Sequence, residues 1–170
     1  GADLVHTDAR TFANGEIYAR YDESVRGCDA FVIQSHTNPI NEWLMEQLIM
    51  VDAMKRASAK RITVVAPFYP YARQDKKGRG REPISARLVA DLFKAAGAKR
   101  MVSIDLHSGQ IQGFFEGPVD HLTAMPVLED YVRTHADSPV IVSPDAGRIK
   151  VAERMAQHLG DKGADLAFIY

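Results

Sequence analysis

The chain has 170 residues, 46% hydrophobic and 25% charged, with a formal net charge of -1. That length suits one domain with a full core, and the composition is that of an ordinary globular protein. Near-zero net charge argues against a general nucleic-acid binder, no apolar run is long enough for a membrane span, and the single cysteine, Cys28, rules out an internal disulfide and fits a cytoplasmic location.

In chain order, "GEIYARY" (Gly15–Tyr21) alternates like an exposed strand, one arm of a hairpin. "DAFVIQS" (Asp29–Ser35) reads as a buried strand. Asn41–Ser58 follows as a helix, with Trp43, Leu44, Gln47, Leu48, Val51 and Met54 at helical spacing. "RITVVAPFY" (Arg61–Tyr69) is a strand, and Pro83–Gly97 a helix with proline in its first turn and glycine at its end. "RMVSIDL" (Arg100–Leu106) is a strand, the segment around "AMPVLEDYVRTHA" a helix, and "PVIVSPD" (Pro139–Asp145) a strand. "RIKVAERMAQHLG" is a helix and "ADLAFIY" (Ala164–Tyr170) a last strand. Apolar strands alternating with amphipathic helices predict a three-layer α/β/α fold around a mostly parallel sheet. Because the chain starts abruptly at "GADLVHTDAR" and stops in a strand, it reads as one domain of something longer.

In such a sheet, ligands bind beyond the carboxyl ends of the strands. After the second buried strand comes "PYARQDKKGRGREP", where Arg73, Lys76, Lys77, Arg79 and Arg81 crowd around one carboxylate, Asp75. Basic loops are often only solvated, but this one follows a core strand and precedes a helix N-terminus, which suits phosphate. "DLHSGQ" puts Asp105 and His107 on one side of a strand end. Alone, that pair reads as a structural histidine. Asp145, at the corresponding end of the next predicted strand, shifts the balance toward Mg²⁺ with phosphates as co-ligands, and Glu116 and Asp120 could add charge. Asn14-Gly15, followed by Glu16, reads as a hairpin turn, and His36 as structural. The chain contains no P-loop, no G-x-G-x-x-G fingerprint and no G-x-S-x-G elbow.

"TFANGE", "RGCDAFVIQS", "PYARQDKK", "REPISARLVADL", "DLHSGQIQGFFEGPVDHL" and "SPDAGR", in this order and spacing, resemble the ribose-phosphate pyrophosphokinase family through essentially the whole chain. The resemblance implies a phosphoribosyltransferase-like fold. The activity it implies is transfer of the diphosphoryl group of Mg·ATP to the 1-hydroxyl of ribose 5-phosphate. It implies ATP contacts at Arg73, Gln74 and the adjoining Asp75, and an adenine-binding turn of Asn14, Gly15 and Glu16 reaching in from a neighbouring subunit. It links His107, Asp145 and Asp105 to Mg²⁺, with Glu116 and Asp120 in a wider acidic group. It further implies hexamers built from dimers, with phosphate and ADP as effectors. The family commonly has Asp where this chain has Asn14 and Glu116, and often Gly where it has Arg148. The family's first strand and helix belong before Asp3, its mobile catalytic loop after Tyr170, and its ribose-5-phosphate domain further on. On this reading the chain is the N-terminal, ATP- and Mg²⁺-binding half, inert by itself. A non-catalytic regulatory paralogue and another Mg²⁺-dependent phosphotransferase are the alternatives.

Overall fold

A computed structural model of the chain describes residues 3–169, and the chain divides into two compact units, residues 1–122 and 123–170. In the first unit, β1 (Thr7–Thr11) and β2 (Ile17–Tyr21) form an antiparallel hairpin with Thr7 opposite Tyr21 and Thr11 opposite Ile17. Its turn closes as the Asn-Gly pair predicts. The Gly15 N–H donates to the Phe12 carbonyl (2.9 Å), and Gly15 takes a φ of 90° that a side chain would resist.

Four strands follow: β3 (Asp29–Ile33), β4 (Arg61–Ala66), β5 (Arg100–Ile104) and β6 (Val119–Leu122), all parallel and ordered β3-β4-β5-β6. Helix α1 (Ile40–Arg56) joins β3 to β4, and α2 (Ser85–Ala96) lies between β4 and β5. The pleat sorts residues between the two faces. Ala30, Val32, Ile62, Val64, Ala66, Met101 and Ser103 are buried on one face, whereas Phe31, Ile33 and Leu122 on the other are exposed. The buried face shares a core with Leu44, Val51 and Met54 of α1 and with Ala86, Val89, Ala90 and Phe93 of α2. Phe93 and Met101 are completely buried, each contributing about 1.5–3 kcal/mol. Gln47, predicted on this helical face, is buried with them; its amide donates to the carbonyls of Val32 (2.8 Å) and Val65 (3.0 Å), tying β3 to β4.

Strand β6 is absent from the sequence reading, and "PVIVSPD" is not the fourth strand of this sheet. The corresponding strand β7 (Val140–Ser143) belongs to the second unit, where it pairs in parallel with β8 (Asp165–Phe168). Helices α3 (Met125–His135) and α4 (Ile149–His158) complete that unit, with Arg133 bonded to Asp161 and the His158 ring 2.7 Å from Glu129. The predicted last strand ran to Tyr170, which lies outside the described residues.

Gly117 leads into β6 with φ at 153°, and a Cβ there would sit 2.9 Å from the Lys99 carbonyl oxygen. Gly117→Ala should therefore destabilise the chain by about 1–3 kcal/mol in urea unfolding. His36, in the loop after β3, is 1% exposed with its Nδ1 3.1 Å from the Phe68 carbonyl. Burial holds its pKa below the ordinary value, against a smaller opposing effect of that hydrogen bond. The unfolded chain takes up a proton there as pH falls through about 6.5, and the folded chain does so only at lower pH. Stability should thus drop between neutral and mildly acidic pH, and less so in His36→Gln, as measured by urea unfolding at each pH.

Candidate functional site

The basic loop leaves β4 and is pinned before its cations begin. Tyr69 is buried and its hydroxyl donates to the Ala86 carbonyl in the first turn of α2 (2.8 Å); burial drives its pKa far up, so the phenol stays protonated. The Tyr71 hydroxyl donates to Asn41 at the start of α1. Gln74 is held three ways: its N–H to the Tyr71 carbonyl (2.9 Å), its carbonyl to the Ala86 N–H (3.1 Å), and its side-chain oxygen to the Ser85 hydroxyl (2.6 Å). The predicted nucleotide-facing side chain is thus also a fastener between the loop and α2.

Asp75 departs from its predicted neighbours. It is 6% exposed, and one carboxylate oxygen accepts from the Ser108 hydroxyl (2.5 Å) and the Gln110 amide (3.1 Å). The bond from Ser108 is the largest influence lowering its pKa; burial opposes it, and His107 and Lys76 add smaller favourable fields. Arg73, Lys76, Lys77, Arg79 and Arg81 are exposed, and no ion pair joins any of them to a carboxylate among the described residues. The nearby Glu82 is occupied otherwise, accepting from the backbone N–H groups of Gly78 (2.7 Å) and Arg79 (2.9 Å). The sequence suggested surplus positive charge; the folded loop keeps that charge available.

The loop after β5 approaches from beside it. Strand β5 ends at Ile104, so strand alternation does not place Asp105 and His107 as predicted. Asp105 instead has a left-handed φ of 47°, with its N–H bonded to the Leu122 carbonyl (2.9 Å). The buried Leu106 then separates two exposed side chains, Asp105 and His107. The Leu106 N–H donates to His121 Nε2 on β6 (3.0 Å). Strain of this kind collects at functional sites.

The wider acidic group is less concentrated than the sequence suggested. Asp120 lies in β6 and receives both forks of Arg100, at 2.6 and 2.9 Å, which hold its pKa low. Glu116 is highly exposed, its carboxylate 4.0 Å from Lys94. Asp145 follows β7 in the second unit, exposed, its carbonyl accepting from the buried Ser143 (2.7 Å). Among the described residues no three His, Cys, Asp or Glu side chains are grouped to cage a metal.

At the hairpin, Asn14 Oδ1 accepts from the Glu16 N–H (3.1 Å). The sequence reading missed the surface beside this turn. Arg10 places its guanidinium 4.9 Å from the Tyr18 ring centre and 5.9 Å from that of Phe12. The available signal was period-two spacing of Arg10 and Phe12, with Tyr18 opposite Arg10. It also missed Ser108, Gln110 and His121, which do not advertise themselves without their partners.

A family model describing the N-terminal domain of ribose phosphate pyrophosphokinase matches residues 1–97. A ribose-phosphate pyrophosphokinase of Corynebacterium efficiens is 68% identical over 95% of this chain and 50% of its own length. One of Streptomyces coelicolor is 63% identical over 100% of this chain and 52% of its own. The crystal structure of phosphoribosylpyrophosphate synthetase from Mycobacterium smegmatis superposes with a TM-score of 0.91 at 66% identity, covering 98% of this chain and 56% of that one. The chain thus spans about half the length of the curated relatives it matches. Tyr69→Phe should lower stability by about 1 kcal/mol, the worth of its buried hydrogen bond. Neutralising Lys76 or Lys77 should change it by less than about 0.5 kcal/mol in the same denaturation assay.

Proposed function

This chain belongs to the ribose-phosphate pyrophosphokinase family, and from that premise we propose that it is the nucleotide-binding half of an enzyme that makes phosphoribosyl pyrophosphate. In this reading the enzyme transfers the diphosphoryl group of Mg·ATP to the 1-hydroxyl of ribose 5-phosphate, releasing AMP. The observation that carries the reading is the loop after β4: cations without carboxylate ion-pair partners among the described residues, on a backbone fixed to α1 and α2.

Such transfer depends mainly on positioning and on stabilising charge that spreads over phosphate oxygens. Arg73 offers a two-point fork to those oxygens, and Lys76 and Lys77 offer mobile point charges. Gln74 orients the loop through Ser85 and Ala86. The turn of Asn14, Gly15 and Glu16, with the Arg10–Phe12–Tyr18 surface beside it, suits a planar base presented by another subunit. Asp105 and His107 are the proposed Mg²⁺ contacts of the first unit, and Asp145 is proposed separately as an Mg²⁺ contact of the second. In the first unit the exposed Asp105 carboxylate and His107 imidazole are donor types that suit that ion when phosphate oxygens and water complete its shell. When bound, Mg²⁺ would neutralise phosphate charge. Asp75 is better placed to hold the loop than to meet the nucleotide.

Ribose 5-phosphate would be held by the remainder of a protein of the relatives' length, in a cytoplasmic assembly of dimers building hexamers, responsive to phosphate and ADP. No helix of the described chain is long and apolar enough to cross a membrane.

Isothermal titration should show Mg·ATP and a non-hydrolysable analogue binding this chain, with affinity falling at least about tenfold when the divalent metal is chelated. Arg73→Ala should weaken it about tenfold, as loss of a charge-assisted hydrogen bond predicts. Equal affinity without metal would count against the site. The chain alone, given ribose 5-phosphate, should form no detectable phosphoribosyl pyrophosphate; product formation would overturn the division of labour.

A further inference from the structure

We propose that Asp75 is a positioning residue that locks the cationic loop after β4 to the Asp105–Gln110 loop after β5, through the hydroxyl of Ser108 and the amide of Gln110. The proposal rests on the nucleotide-binding reading above and assigns Asp75 a task other than touching ATP.

Asp75 is the one carboxylate between Pro70 and Arg81, surrounded by exposed cations, and yet it is buried. A carboxylate free to choose would pair with the adjacent lysines or arginines in water. Here it turns the other way and takes two hydrogen bonds from residues 33 and 35 positions along the chain. A surface ion pair between long side chains is worth little, because its geometry is loose and water screens it. Hydrogen bonds from fixed neutral donors to a buried charge are stronger and directional. The geometry therefore joins two loops rather than neutralising one.

Two consequences follow for the proposed site. The first is spacing. Arg73 is two residues before Asp75, and His107 is next to Ser108, so one clasp sets the separation between the phosphate-facing and metal-facing parts. The second is charge. With Asp75 hydrogen-bonded to Ser108 and Gln110, Arg73, Lys76 and Lys77 form no direct ion pair with it, although Lys76 is near enough to feel its field. If the carboxylate swung outward it would compete with phosphate for those cations. The Ser108 bond favours the ionised form of Asp75, the form that accepts from both donors.

The test is a double-mutant cycle on nucleotide binding, run on this chain with Mg·ATP and with metal-free ATP as separate titrants. Ser108→Ala should weaken Mg·ATP binding about tenfold while leaving metal-free ATP binding within about twofold, because the variant disturbs spacing and not the cations. Asp75→Ala should weaken Mg·ATP at least as much, and the double variant no more than Asp75→Ala alone, since the partners act as a unit. Asp75→Asn, which keeps an acceptor oxygen for Ser108, should recover part of the loss. Additive losses, or a loss on Asp75→Ala that Ser108→Ala and Gln110→Ala do not reproduce, would overturn the proposal and make Asp75 a direct nucleotide contact. If Asp75→Ala does not fold, Ser108→Ala and Gln110→Ala, checked by circular dichroism, decide alone: unchanged Mg·ATP affinity in both defeats the clasp. Failure of the wild-type chain to bind Mg·ATP defeats the underlying reading instead, so the two failures are distinct.

Discussion

The parallel register of β4 with β5 is the constraint on which the candidate site depends. Thr63 pairs with Arg100 and Ala66 with Ser103, so both strands point the same way and release their chains from the same edge. Parallel strands need long crossovers, and α2 supplies one by packing Val89, Ala90 and Phe93 into the core. The price of that topology is a polar segment at each strand end whose backbone groups need partners. The fold meets this need locally: Tyr69, Gln74 and Ser85 fasten one loop, and His121 receives the Leu106 N–H of the other.

The core of the first unit was legible in the sequence because its strands are nearly continuous apolar runs and its helices keep strict spacing. Gln47 fell on the buried face of α1 in spite of its polarity, and the structure supplies the reason in two strand carbonyls. Strand β6 was illegible. Four residues, "VDHL", contain an aspartate and a histidine, and only pairing with β5 makes them a strand. The joining of β7 to β8 as a separate pair was hidden for a similar reason, since periodicity identifies strands but not their neighbours.

At the site, composition exposed the cations and the strand-end position exposed their relevance. What it did not expose was direction. Nothing local distinguishes Asp75 from a solvated carboxylate, because its partners are supplied by another loop. Asp120 errs the opposite way: it looks like a spare acidic group until Arg100, on the neighbouring strand, receives it in a two-point pair. The strained Asp105 likewise reads as the end of a strand and is the residue at which the strand stops.

Gln47 fastens β3 to β4 by gripping carbonyl oxygens, not side chains. Every amino acid provides the same carbonyl. Tyr69 holds α2 at the Ala86 carbonyl in the same manner. Such bonds do not depend on the side chain of the gripped residue; burial in the core, not the hydrogen bond, is what restricts Val32 and Ala86 to small apolar side chains. Packing therefore selects the side chains of the scaffold, while the Gln47 and Tyr69 bonds that hold it act on its backbone alone.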